Sequence, residues 1–190
     1  MPVTGIDIKS RVPFAEGKFF GSTGSYEQID GTVRYEVDPN HPANEAITDI
    51  KLAPTNSLGR VEFTADFRLA IPSDLSKSNR RLFLDILNRG KNSAYRNLNS
   101  ATDVAPDAPT EPGNGFLMEE GYSIAWCGWQ HDVPEVPGIM GIRVPEALDS
   151  NGPIQGKIVV TFQPNLAAKF QLLSDRNHRS YPTSDIYDTE

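Results

Sequence analysis

Two short groups of residues carry the types that a reactive site uses, and both follow apolar runs. The first is Asn88, Arg89 and Gly90, directly after Arg81-Leu82-Phe83-Leu84-Asp85-Ile86-Leu87. A loop at the end of a buried strand sets its backbone N–H groups at the carboxyl edge of the sheet, where ligands bind. The competing reading is a plain turn made by Asn and Gly, with Arg89 paired to an acid. The second group is Trp129, His131 and Asp132, after the apolar run that starts at Tyr122. An aromatic ring, an imidazole and a carboxylate at a strand's carboxyl end are candidates to line a pocket. Neighbouring residues in an extended segment point to opposite faces, so a His131–Asp132 relay is not expected. A solvated pair in a turn is the alternative. Trp126 and Trp129 also fall on opposite faces, and core positions are expected for both, with Trp129 the one available to a pocket.

No nucleophile is present. Gly21-Ser22-Thr23-Gly24-Ser25 lacks the Gly-x-Ser-x-Gly pattern and comes before any buried strand, so a loop is expected there. His41, His131 and His178 show no ligand spacing, and Cys127 alone makes no Cys-x-x-Cys site. Neither a metal nor a cofactor is expected, and Cys127 reads as a buried structural thiol.

The elements that would position these groups follow from periodicity. Asp30-Gly31 between Tyr26–Ile29 and Thr32–Val37 predicts a hairpin turn. Ile47 to Leu52 predicts a strand. Val61, Phe63, Ala65, Phe67, Leu69 and Ile71 alternate with more polar residues, which predicts a long antiparallel strand with one wet face. Arg81 to Leu87 is nearly continuous in apolar residues and predicts a strand covered on both faces, as in a parallel sheet. Residues 91–115 and 131–153 read as irregular loops. Phe116 to Glu120 predicts a short helix closed by Gly121 in the left-handed position. Tyr122 to Trp129 predicts a second buried strand, Ile154 to Phe162 another, and Phe170 to Leu173 a weak one. A buried strand, a helix and a buried strand together require a right-handed crossover. The expected fold class is therefore α/β: antiparallel strands first, then a parallel strand–helix–strand unit.

Composition narrows the class. The chain has 190 residues, room for one ordinary domain, and fifteen Gly and fifteen Pro favour many turns. A net charge of -7 argues against a nucleic-acid partner, which demands a basic face. No apolar window approaches the roughly eighteen residues of a membrane span, so no membrane partner is expected. The cytoplasm is the expected location, with export left open. The oligomeric state is left open too.

The segments GSYEQIDGTVRYEVDP, RVEFTADFRLAIP, LFLDILNRG, GNGFLMEEGYSIAWCGWQHD and PIQGKIVVTF, in this order, resemble the amino-terminal half of the bacterial family described as alpha/beta hydrolase domain-containing proteins. The resemblance spans about residues 20 to 185. It implies an esterase-like serine hydrolase acting on a small ester-like substrate, with serine elbow, acid and histidine beyond Glu190. On that reading residues 1–190 form a single domain or the first part of a larger one, a fragment inactive alone, with Asn88, Arg89 and Gly90 as oxyanion loop. A cut sheet would leave its last parallel strand unprotected, which predicts poor solubility. The rival expectation is a noncatalytic β-rich binding or assembly module.

Overall fold

The computed structural model describes residues 3–102, 110–156, 161 and 163. It is a mixed, sheet-rich α/β arrangement with few helices. Eight strands are described: β1 (Val3–Pro13), β2 (Tyr26–Val37), β3 (Val61–Pro72), β4 (Leu82–Asp85), β5 (Ser123–Cys127), β6 (Ile142–Arg143), β7 (Leu148–Asp149) and β8 (Gly152–Pro153). The helices are α1 (Ala94–Asn99) and α2 (Phe116–Glu119). The main sheet runs β1-β2-β3-β5-β4, with β6 added to β3 beside β5; β7 and β8 form a separate small pair. β1, β2, β3 and β5 are antiparallel in turn, whereas β4 and β5 are parallel. The chain therefore passes from an antiparallel meander into a strand–helix–strand crossover, as its patterns predict.

Cross-strand pairing sorts the side chains. Arg68 stands opposite Trp126 and Ala70 opposite Ile124, and this face carries the main core. Phe14, Phe20, Tyr26, Leu87, Tyr95, Leu117, Met118 and Trp126 pack together there. α2 ends as expected. Gly121 is left-handed (φ 74°), its N–H donates to Met118 O, and Tyr122 N–H donates to Leu117 O, a paired closure that satisfies the last carbonyls. Tyr26 Oη sits 3.1 Å from Met118 O and 2.9 Å from Tyr122 O, tying that helix end to β2.

Several expectations are corrected. Asp30-Gly31 does not turn: β2 runs straight through it, with Gly31 paired to Ile8 on one side and Phe67 on the other. Glycine is needed there for closeness, because a Cβ would overlap Asp7 O and lie 2.5 Å from Phe67 Cε1. The first residues form the strand β1, which pairs with β2 and, among the described residues, with no other strand. Ile47–Leu52 is not a strand but a turn leading into a single 3-10 turn at Ile50–Leu52. The run from Arg81 is not covered on both faces: Leu82, Leu84 and Ile86 are 63%, 53% and 66% exposed. Only the alternate residues, Phe83, Asp85 and Leu87, point into the core side. The stretch 91–115 contains α1, and 131–153 contains β6 and the β7–β8 pair. Most of the strand expected at Ile154 to Phe162, and all of that at Phe170 to Leu173, lies outside the described residues; Ile154 to Gly156, which are described, are not strand. The segment Gly21 to Ser25 is a tight loop, with Phe20 N–H donating to Gly24 O at 3.0 Å.

Candidate functional site

Parallel pairing brings the ends of β4 and β5 to one edge. After β4 the chain continues through buried Leu87 into the turn 88–91, closed by Lys91 N–H donating to Asn88 O at 3.2 Å. After β5 it continues through Gly128 to Asp132. These two exits, about forty residues apart in sequence, touch repeatedly. Trp129 Nε1 donates to Leu87 O at 2.7 Å. The Arg89 guanidinium clamps Asp132, with Nη1 donating to Oδ1 at 2.8 Å and Nη2 to the main-chain oxygen at 2.9 Å. Arg89 N–H donates to Gln130 Oε1 at 2.7 Å.

The backbone of this turn is unusual. Arg89 (φ 54°) and Gly90 (φ 74°) are both left-handed, and such a conformation is uncommon for a residue with a Cβ. A Cβ on Gly90 would lie 2.5 Å from Ile139 Cγ2 and 2.8 Å from Met140 O, so glycine is the residue that fits. Met140 N–H donates to Gly90 O at 2.9 Å, which fixes the turn against the segment that leads to β6.

Electrostatics follow from the clamp. The Arg89 hydrogen bond is the largest influence holding the Asp132 carboxyl below the usual carboxylate range; burial opposes it. Beside the clamp lies a cleft of about 260 Å³ whose lining includes His131, Val133, Ile139 and Arg143. Asp66 forms its floor with a two-pronged contact from Arg143, at 2.9 and 3.1 Å.

The structure thus gathers every candidate named from the sequence at the carboxyl edge of the parallel pair, although with different exposures. Asn88 and His131 face solvent, Arg89 and Asp132 are half-buried, and Gly90 is buried. Trp126 is core at 1% exposed, but Trp129 is 56% exposed, which corrects the expectation of two core tryptophans. The reason is position: Trp129 falls beyond the last paired residue of β5. Cys127 is half-buried, 3.6 Å from Tyr35 Oη. Burial and this thiol raise the Tyr35 hydroxyl to about 12.

Three important side chains were missed in the sequence. Gln130 holds the Arg89 donor. Asp85, buried at the end of β4, accepts from Ser93 N–H (2.7 Å), Ser93 Oγ (3.0 Å), Ala94 N–H (2.8 Å) and Trp126 Nε1 (2.8 Å). Asn99 accepts from Leu117 N–H and donates to Pro112 O, both at 3.0 Å, fastening the far end of the 91–115 connection. The signal for Asp85 was available: a single acid within an apolar strand must find donors. Among the described residues no group of three His, Cys, Asp or Glu side chains is placed to hold a metal ion, and no helix is long and apolar enough to cross a membrane. No protein-family model, no curated protein and no solved structure matches the chain.

Proposed function

We propose that the chain is the amino-terminal part of a serine-type α/β-hydrolase acting on an ester or similar acyl bond. The observation that carries the reading is the turn Asn88–Arg89–Gly90 at the carboxyl end of β4. It presents a main-chain N–H to a carbonyl oxygen, Gln130 Oε1, at 2.7 Å. An oxyanion donor works at about 2.7–3.1 Å from the oxygen that it stabilises. The antiparallel meander leading into a parallel strand–helix–strand unit supports the same reading. So does the neighbouring cleft, where Val133, Ile139 and Ile142 stand beside the polar His131 and Arg143.

In this proposal a serine from outside these residues attacks the substrate carbonyl carbon. The carbonyl oxygen takes the negative charge and accepts the loop's hydrogen bond. The Arg89–Asp132 pair holds the turn in its left-handed form throughout. Losing one such donor would typically cost roughly 2.7–4 kcal/mol of transition-state stabilisation. No metal, cofactor or nucleic acid enters the scheme.

The test has two arms. The isolated 190 residues are expected to show no turnover of a nitrophenyl ester, and robust turnover would sink the fragment reading. The gene downstream of Glu190 is expected to encode Gly-x-Ser-x-Gly between a strand and a helix, and the longer product should react with a fluorophosphonate probe. A second reading, a noncatalytic assembly module, draws on the open sheet face at Leu82, Leu84 and Ile86. A stop codon directly after Glu190 with a stably folded product would favour it.

A further inference from the structure

The geometry points to Gln130 as a built-in occupant of the Arg89 donor, displaced by an anionic oxygen but not by a neutral carbonyl. The inference rests on the oxyanion reading of the loop and makes Gln130 a specificity-determining residue.

The donor is aimed independently of its occupant. Arg89 is held left-handed by its guanidinium on Asp132 and by Gly90 wedged against Ile139 and Met140. Gln130 is tethered at its backbone, where its carbonyl accepts Ile142 N–H at 3.2 Å. Its side chain, not its backbone, reaches the Arg89 N–H, so turning that side chain breaks neither the Ile142 hydrogen bond nor the Arg89–Asp132 contacts. Arg89 and Gln130 are both half-buried rather than enclosed, so solvent reaches this corner of the fold; Ile139, which packs against Gly90, lines the neighbouring 260 Å³ cleft.

Exchange chemistry then sets the preference. An ester carbonyl replacing the carboxamide oxygen swaps one neutral acceptor for another and gains little. A carboxylate, or the oxygen of a tetrahedral intermediate, makes a charge-assisted bond roughly twice as strong. Gln130 therefore withholds the donor from the neutral ground state and yields it as charge develops. That is binding directed to the transition state rather than to the substrate.

The test uses this chain, labelled with ¹⁵N and titrated at about pH 7 and constant ionic strength with acetate or ethyl acetate. In the native chain the Arg89 amide resonance should shift saturably with acetate and stay still with ethyl acetate. Gln130→Ala should tighten acetate about fivefold to tenfold and make the ester response appear. Gln130→Met, similar in length but without an acceptor oxygen, should do the same and stands in if the alanine variant fails to fold. An Arg89 amide unmoved by both ligands in the variants overturns the proposal, as does an equal response to both in the native chain. Catalysis is not read here. An inactive longer protein would remove the hydrolase and leave this subsite standing, whereas a silent Arg89 amide would remove the subsite and leave the hydrolase with some other donor.

Discussion

Trp126 donates its indole N–H to the Asp85 carboxylate at 2.8 Å, joining the two parallel strands through a contact buried from water. The same carboxylate takes three more donors from Ser93 and Ala94. Asp85 thus fastens the end of β4, the start of α1 and the middle of β5 at one point, and it supports the turn that follows at Asn88. Asp85→Ala would leave the indole and two main-chain N–H groups buried without acceptors. Each such group costs about 1–3 kcal/mol. The variant is expected to lose at least about 3 kcal/mol in urea unfolding, with Asp85→Asn losing less because it keeps one acceptor oxygen.

Gly31 offers a different kind of test. It lies inside β2 between Asp7 and Phe67, where a methyl group has no room. Gly31→Ala is expected to destabilise the sheet by roughly 1–3 kcal/mol, as overpacking does. In a hairpin turn the same change would act only through the preferred sign of φ. Amide hydrogen exchange across Ile29 to Val33 separates the two: loss of protection on both the β1 and β3 sides is the expected result.

That glycine also marks where sequence patterns stop being informative. The long strand from Val61 to Ile71 was legible from its alternation, but the face expected to be wet is the one whose Arg68 and Ala70 lie on the main core, while Phe67 and Val61 on the other face join smaller clusters. The parallel relation of β4 and β5 was legible because an apolar run, a capped helix and another apolar run allow few connections. Coverage was not legible: Leu82 and Leu84 are apolar whether or not anything packs on them. Asp30-Gly31 misled because glycine serves close approach as well as turning. At the site, the loop residues were visible as types, but their partners were not. Arg89 meets Gln130 and Asp132 across more than forty positions, and only the β4–β5 register brings them together.

The clamp itself has a pH signature. Arg89 holds the folded Asp132 carboxyl below its ordinary value. A depressed folded value contributes stability that is present above the unfolded value, about 3.9, and is lost as pH falls through the folded value. Arg89→Gln should therefore move the Asp132 titration, followed by carboxyl ¹³C shift, upward towards the ordinary range. The Asp132 side chain is 37% exposed, so water screens the pair and the stability difference should stay within about 1 kcal/mol near neutral pH. That difference should shrink on acidification below about pH 4. An unchanged Asp132 midpoint in the variant would remove the electrostatic part of the clamp.

Tyr95 closes the core side of the site and carries an unresolved cost. Its ring packs 5.2 Å from Trp126 and 5.4 Å from Phe14, while its hydroxyl, fully enclosed, has no hydrogen-bond partner among the described residues. Burial drives that hydroxyl's ionisation far upward, so it stays neutral at any working pH. A buried hydroxyl without a partner forfeits its bonds to water and gains nothing in return. Tyr95→Phe keeps the ring contacts and removes the orphan oxygen. The variant is expected to be as stable as the native chain or more stable, by up to about 1–3 kcal/mol in urea unfolding. Tyr95→Leu, which gives up the edge-on contact with Trp126 and the stacking on Phe14, should instead lose stability. A Tyr95→Phe chain weaker by more than about 1 kcal/mol would mean that the hydroxyl does bond in solution, to water or to a neighbour.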